Sequence, residues 1–222
     1  MSRNKYPEET VNLILDTAQE LFLKKGYEHT TIQDIIDNLG GLTKGAIYHH
    51  FKSKEHILNA VIDRLFSENT LSVKWNKIKN NQTLNGGEKL KAMLYEAIVD
   101  KQEQELRKMG INLQNMPQML ADLLIRQVNE IAHNSFEPVL KEGINDGSIT
   151  FPYPEELSEI ISLLANIWIN PLVFKMSDDE IKRKFEVLCT MTKLIGVDVS
   201  DLYNALDTMN KEINQQNTDP TG

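Results

Sequence analysis

Thr43-Lys44-Gly45-Ala46-Ile47-Tyr48-His49-His50-Phe51 is the stretch on which the reading of this chain turns. Ile47 and Phe51 are four residues apart, so they share one face of a helix and mark its inward side. Thr43, Lys44, Tyr48 and His49 then present hydroxyl, ammonium and imidazole groups along the outward side. Gly45 costs a helix about 1 kcal/mol relative to alanine, and beside Ala46 it leaves room for another molecule's backbone to come close. Upstream, Thr31 stands three residues before Asp34, an acidic form of the capping box, and so opens another short helix that Gly40-Gly41 stops. Before that, Val11, Ile14, Leu15, Ala18, Leu21 and Phe22 form the apolar stripe of a first helix. Pro7 fits its first turn and Gly26 its end. Downstream, Ser53 caps a fourth helix beginning Lys54-Glu55-His56-Ile57-Leu58.

Two short helices around a glycine turn, followed by a capped helix, have the form of a helix-turn-helix, whose second helix enters the DNA major groove. The overall charge argues the other way. The 222 residues carry 24 Lys+Arg against 32 Asp+Glu, a net charge of −8, which is wrong for a general polyanion binder. The charge is unevenly placed, however. Residues 1–66 hold eight Lys/Arg and nine Asp/Glu, net −1, which leaves −7 for residues 67–222. Within the first part, Leu42 to Lys54 contains Lys44, Lys52 and Lys54, with His49 and His50 between them and no acid. At the start of the fourth helix, the charge of Lys54 and the free N–H groups suit a phosphate.

The runs Thr30-Thr31-Ile32-Gln33-Asp34-Ile35 and Thr43-Lys44-Gly45-Ala46-Ile47-Tyr48-His49-His50-Phe51-Lys52-Ser53-Lys54-Glu55 resemble the DNA-binding domain of the TetR family of transcriptional regulators, over residues 8–66. The resemblance implies an all-α fold. An N-terminal three-helix helix-turn-helix DNA-binding domain (residues 1–66) would precede a C-terminal helical domain for effector binding and dimerisation (residues 67–222). Carried onto this sequence, it implies that Thr43, Lys44, Gly45, Ala46 and Tyr48 face DNA with His49 nearby. Thr31 and Lys54 would hold phosphates, and Lys44 would read a base, since lysine suits guanine edges. It implies a homodimeric regulator, a repressor of a palindromic operator released by a small molecule. Two departures stand out: seven residues, Leu39-Gly40-Gly41-Leu42-Thr43-Lys44-Gly45, where the family has six, and Ile36 where it often has alanine.

Beyond residue 66 helical periodicity continues and no stretch alternates long enough for a sheet. The pattern predicts helices near Glu88–Lys108, from Pro117 to about Gly143 with a bend at Pro138, and near Glu155–Val173, Asp178–Ile195 and Ser200–Ile213. Ile160, Leu164 and Ile167 lie on a segment apolar almost all round. Ile181, Phe185, Leu188, Thr192 and Ile195 follow at spacings of four and three. These two helices read as half of an intermolecular four-helix bundle, with completion of the monomer's own core as the alternative. Met93, Met109, Met116, Met119, Trp168 and Met176 are candidates to line a pocket for a small apolar or amphipathic effector, or else to fill the core.

Enzymatic readings are weak. Glu130-x-x-His133 has the spacing of a di-iron ligand pair but no second copy, and Cys189 sits among Val187, Leu188 and Met191. No metal or cofactor is expected. One cysteine, no signal-peptide pattern and no membrane span point to the cytoplasm. The rival reading is an all-helical ligand-binding or enzymatic bundle with no role on DNA.

Overall fold

The computed structural model describes residues 7–41, 44–65, 70–208 and 211, which contain helices and turns and no strand. They form two compact units. The first holds the N-terminal helices together with Gln102–Ile111, and the second holds residues 70–101 and those from Asn112 on. The return of Gln102–Ile111 to the first unit is where the packing departs from a simple division at residue 66.

In the first unit, α1 (Pro7–Lys25) buries Ile14, Leu15, Ala18, Leu21 and Phe22, the stripe read from sequence. Gly26, at φ +83°, ends it. The Tyr27 N–H then donates to the Met109 carbonyl (2.7 Å), fastening the loop to the end of α7 (Lys101–Lys108). Helices α2 (Ile32–Asp37) and α3 (Lys44–His50) are joined through Gly40 and Gly41, at φ +61° and +115°, backbone that residues with a side chain rarely adopt. The α4 helix (Lys54–Leu65) buries Ile57, Leu58 and Val61. Its Arg64 binds Asp16 and Gln19 of α1, each at 2.7 Å.

In the second unit, α5 (Thr70–Lys79) is an element the sequence reading passed over, although Leu71, Trp75 and Ile78 carry the helical spacing. The indole N–H of Trp75 donates to Met93 O (2.9 Å) of α6 (Gly86–Ile98). The single helix expected over Glu88–Lys108 is split after Ile98, because α6 joins the second core and α7 from Gln102 onward joins the first. The long helix from Pro117 is α8 (Pro117–Arg126), a π-helical stretch (Gln127–Phe136) and α9 (Glu137–Asp146). Pro138 has no N–H for the Asn134 carbonyl, so the ladder widens, Glu137 N–H reaching Ala132 O, and the Lys79 ammonium takes the freed Asn134 oxygen (2.9 Å). The α10 helix (Pro154–Leu163) continues as a second π-helical turn (Leu164–Trp168) and stops before Asn170-Pro171, well short of Val173. A residue preceding proline is driven out of helical backbone. The α11 helix (Asp178–Leu194) follows, capped by Ser177 and Glu180. Of the helix expected over Ser200–Ile213, Ser200–Leu202 form a tight 3₁₀ turn and 203–208 are helical; most of its end lies outside the described residues.

Two glycines set the closest helix crossing. A Cβ on Gly86 would lie 2.1 Å from the Gly143 nitrogen and 2.8 Å from Val139 O, backbone atoms that cannot swing aside. Beside them Lys89, only 1% exposed, gives its ammonium to both oxygens of Glu142 at 2.6 and 2.7 Å. Gly86→Ala is therefore expected to destabilise the chain by roughly 2–3 kcal/mol, read as a lower urea midpoint. An unchanged midpoint would contradict this crossing.

On the surface of the same unit, His133 Nδ1 lies 2.9 Å from Glu137 and Nε2 lies 3.6 Å from Glu159 of α10. The hydrogen bond to Glu137 raises the His133 pKa above its ordinary 6.5, helped by the charges of Glu137, Glu155 and Glu159. Lys141 and then His133 lower that of Glu137. A raised imidazole contributes stability that is complete below about pH 6.5 and is lost as pH rises through the folded-state value. The melting-temperature difference between the wild type and His133→Gln should thus be largest near pH 6 and shrink towards pH 9. A difference independent of pH would remove the histidine from this role.

Candidate nucleic-acid interface

The α2–turn–α3 segment is built as its sequence suggests. Thr31 caps α2 in a full capping box: Asp34 N–H donates to its hydroxyl (3.1 Å), and Thr31 N–H donates back to Asp34 Oδ2 (2.8 Å). The Thr31 hydroxyl also donates to that carboxylate (2.7 Å), so both Thr31 donors are engaged in the cap. The hydrogen bond from Lys25 (2.8 Å), followed by those from Thr31, holds the Asp34 carboxyl far below the usual carboxylate range. Buried Thr30 steadies the preceding loop through its bond to Gly26 O (2.8 Å).

On α3 the division of faces follows the four-residue spacing. Ile47 and Phe51 are buried, whereas Lys44, Gly45, Tyr48 and His49 are exposed and Ala46 is half-buried. Tyr48 is 44% exposed, on the outward side and not in the core. The Lys44 ammonium lies 5.8 Å from the Tyr48 ring centre, and the His49 and His50 rings meet edge to face at 4.9 Å. These groups make one outward strip of donors and aromatic edges, of the size and polarity that reads base edges. Thr43, assigned to the same strip, lies outside the described residues.

Lys54 departs from its expected place. Its ammonium turns to the loop after α1, donating to Tyr27 O (2.8 Å) and Glu28 O (3.4 Å) and lying 4.2 Å from the Tyr27 ring centre. Those carbonyls belong to the turn that follows α1, and the ammonium satisfies them. The lysine fastens α4 to that loop. Burial, then the charges of Glu55 and Glu28, push the Tyr27 hydroxyl up to about 12, so it stays neutral.

Most residues assigned to dimerisation point elsewhere. Ile181, Phe185, Leu188 and Ile195 are buried in the second unit's own core, beside Phe136 and Leu157. They complete the monomer core, the alternative reading, because α11 lays that stripe against the unit's other helices. Ile167 is buried, Leu164 half-buried, and Ile160 45% exposed. The outward stripe of α11 is instead Val187, Met191 and Leu194, which the sequence also shows at spacings of four and three. The effector candidates do not form one group. Met93 and Met176 belong to the second unit's core cluster, and Met116 and Met119 lie at the start of α8. Trp168 is half-buried beside Lys184, whereas Met109 is buried in the first unit. Cys189 is buried, and burial raises its thiol pKa, as suits an inert side chain. Among the described residues no helix is long and apolar enough to cross a membrane.

Residues 14–61 match the family model described as bacterial regulatory proteins, tetR family. Over 155 residues the chain is 27% identical to the biofilm operon icaADBC HTH-type negative transcriptional regulator IcaR of Staphylococcus aureus, covering 70% of this chain and 80% of that protein. In fold it is similar to a TetR-family regulator from Pectobacterium atrosepticum, with a TM-score of 0.55, 20% identity, and 87% of this chain and 95% of that one covered. It is also similar to a chain of the SmeT–triclosan complex, with a TM-score of 0.54, 19% identity, and 91% and 90% covered.

Proposed function

Because this chain belongs to the TetR family of DNA-binding transcriptional regulators, we propose that it acts as a homodimeric repressor, binding a palindromic operator and released from it by a small apolar or amphipathic effector. Its family works by binding DNA, not by catalysis. The observation that carries the proposal is the outward strip of α3, with Lys44, Tyr48 and His49 exposed over inward Ile47 and Phe51. One such helix reads few base pairs, so two copies about 34–36 Å apart are needed to read both halves of a site. The outward residues Ile160, Val187, Met191 and Leu194 are the apolar surface on which a second copy would close.

Repression is the sign suggested by IcaR, a negative regulator. Release by an effector is suggested by SmeT, a protein of the same fold in complex with triclosan. In this proposal residues 1–66 contact DNA and residues 67–222 supply dimerisation and effector binding. The chain runs from α6 into α7, that is, from one core to the other, so a shift of α6 has a covalent route to the N-terminal unit. Deleting the gene in its host and measuring transcripts tests the sign: those under its control rise if it represses, and a fall would contradict repression.

A further inference from the structure

Lys54 is the cation that the resemblance assigns to a backbone phosphate, yet its ammonium is already committed within the protein. Two of its N–H donors go to the carbonyls of Tyr27 and Glu28, and the Tyr27 ring centre lies 4.2 Å away. Reaching a phosphate would break all three contacts. The turn between α3 and α4 supplies another cation. Lys52 is exposed there, and its ammonium has no hydrogen-bond or ion-pair partner among the described residues.

Beside it stands an oriented imidazole. The Lys52 main-chain N–H donates to His56 Nδ1 (3.4 Å), a bond that assigns the ring proton to Nε2. His56 is held from two further sides. Its own main-chain N–H donates to the Ser53 hydroxyl (3.0 Å), and its ring meets that of buried Phe51 edge to face at 5.5 Å. The ring is thus set in place while the residue stays exposed, and Nε2 has no partner among the described residues. No acid lies between Leu42 and Lys54. Glu55 comes next, but its charge acts on the Tyr27 hydroxyl, which puts it on the side of Lys54.

We propose that Lys52 and His56 together hold a DNA backbone phosphate beside the α3 strip, in the place the resemblance gives to Lys54, which braces the protein instead. The assignment rests on the DNA-binding reading above. Lys52 brings charge and His56 brings an N–H of fixed direction, and a phosphate oxygen accepts from both. Phe51 joins the two to the reading helix: it closes the buried face of α3, precedes Lys52 in the chain and supports the His56 ring. A phosphate held there would set the register of α3 in the groove without itself reading sequence.

The test follows binding of the full chain to a fluorescent short duplex of arbitrary sequence, by anisotropy over a range of salt. Lys52→Ala should lower the slope of log affinity against log salt by about 0.9 per subunit and weaken binding to every sequence alike. His56→Phe, which keeps a ring against Phe51 and removes the donor, should weaken binding roughly tenfold. Lys54→Ala should leave the slope unchanged. In the wild type, the His56 ring signals in the ¹H–¹⁵N spectrum should move when the duplex is added. An unchanged slope in Lys52→Ala, an unchanged affinity in a folded His56→Phe, or a slope lowered by Lys54→Ala would each overturn the assignment. Unmoved His56 signals would do so whether or not the variants fold. Failure of the wild type to bind any duplex would refute the DNA-binding reading as well, whereas intact binding with one of those results refutes only the roles of Lys52 and His56.

Discussion

The double substitution Met191→Lys/Leu194→Lys is expected to yield a folded monomer that has lost high-affinity binding to a two-fold symmetric site. Leu194 is 78% exposed, and Met191 and Val187 lie beside it on the outward stripe of α11. None of the three belongs to the chain's own buried core, so lysines there leave the monomer's packing intact. In a two-fold interface each change occurs twice, and four ammonium groups would face one another where apolar surface should close. Without the second subunit, the second half-site is no longer bound intramolecularly, which removes about 10²–10⁴-fold of affinity. Light scattering should give half the wild-type mass with an unchanged circular dichroism spectrum. Substituting Phe185 or Leu188 instead should cost stability, because those residues fill the core. An unchanged mass in the double variant would place the interface elsewhere.

Lys44→Ala is the second large effect. The ammonium stands exposed at the start of α3, 5.8 Å from the Tyr48 ring, with no acid between Leu42 and Lys54 to compete for it. A lysine reading a guanine edge contributes about 1–3 kcal/mol of discrimination, so specific affinity should fall about tenfold to a hundredfold while binding to unrelated duplexes changes little. Lys54→Ala is the informative contrast. Its ammonium is already bound to the carbonyls of Tyr27 and Glu28, so its loss should lower the melting temperature more than it alters sequence preference. If Lys54→Ala alters sequence preference as strongly as Lys44→Ala, the two lysines have been assigned wrongly.

The N-terminal helices were legible because their signals are local. The α1 stripe, the Thr31–Asp34 cap, the glycine stop and the Ile47/Phe51 spacing each follow from side-chain chemistry within one or two turns. What the sequence concealed depends on partners far along the chain. The inward and outward stripes of α11 are both apolar, and only the packing of the other helices decides which one is covered. The ammonium of Lys54 could have faced either phosphate or carbonyl. The widening at Pro138 was half legible: proline announces a broken bond, but not that Lys79, far away in sequence, takes the orphaned Asn134 oxygen. Net charge misled for a related reason. The −8 belongs almost wholly to residues 67–222, so DNA binding should rest on a few contacts and show a shallow salt slope.

Selection of bound duplexes from a random pool by the purified full chain tests most directly whether it reads DNA as a dimer. The predicted result is enrichment of a two-fold symmetric site whose half-site centres lie about one helical turn apart, bound by two chains and no longer enriched with Lys44→Ala. A pool that yields no enriched sequence, or single half-sites bound by one chain, would contradict it.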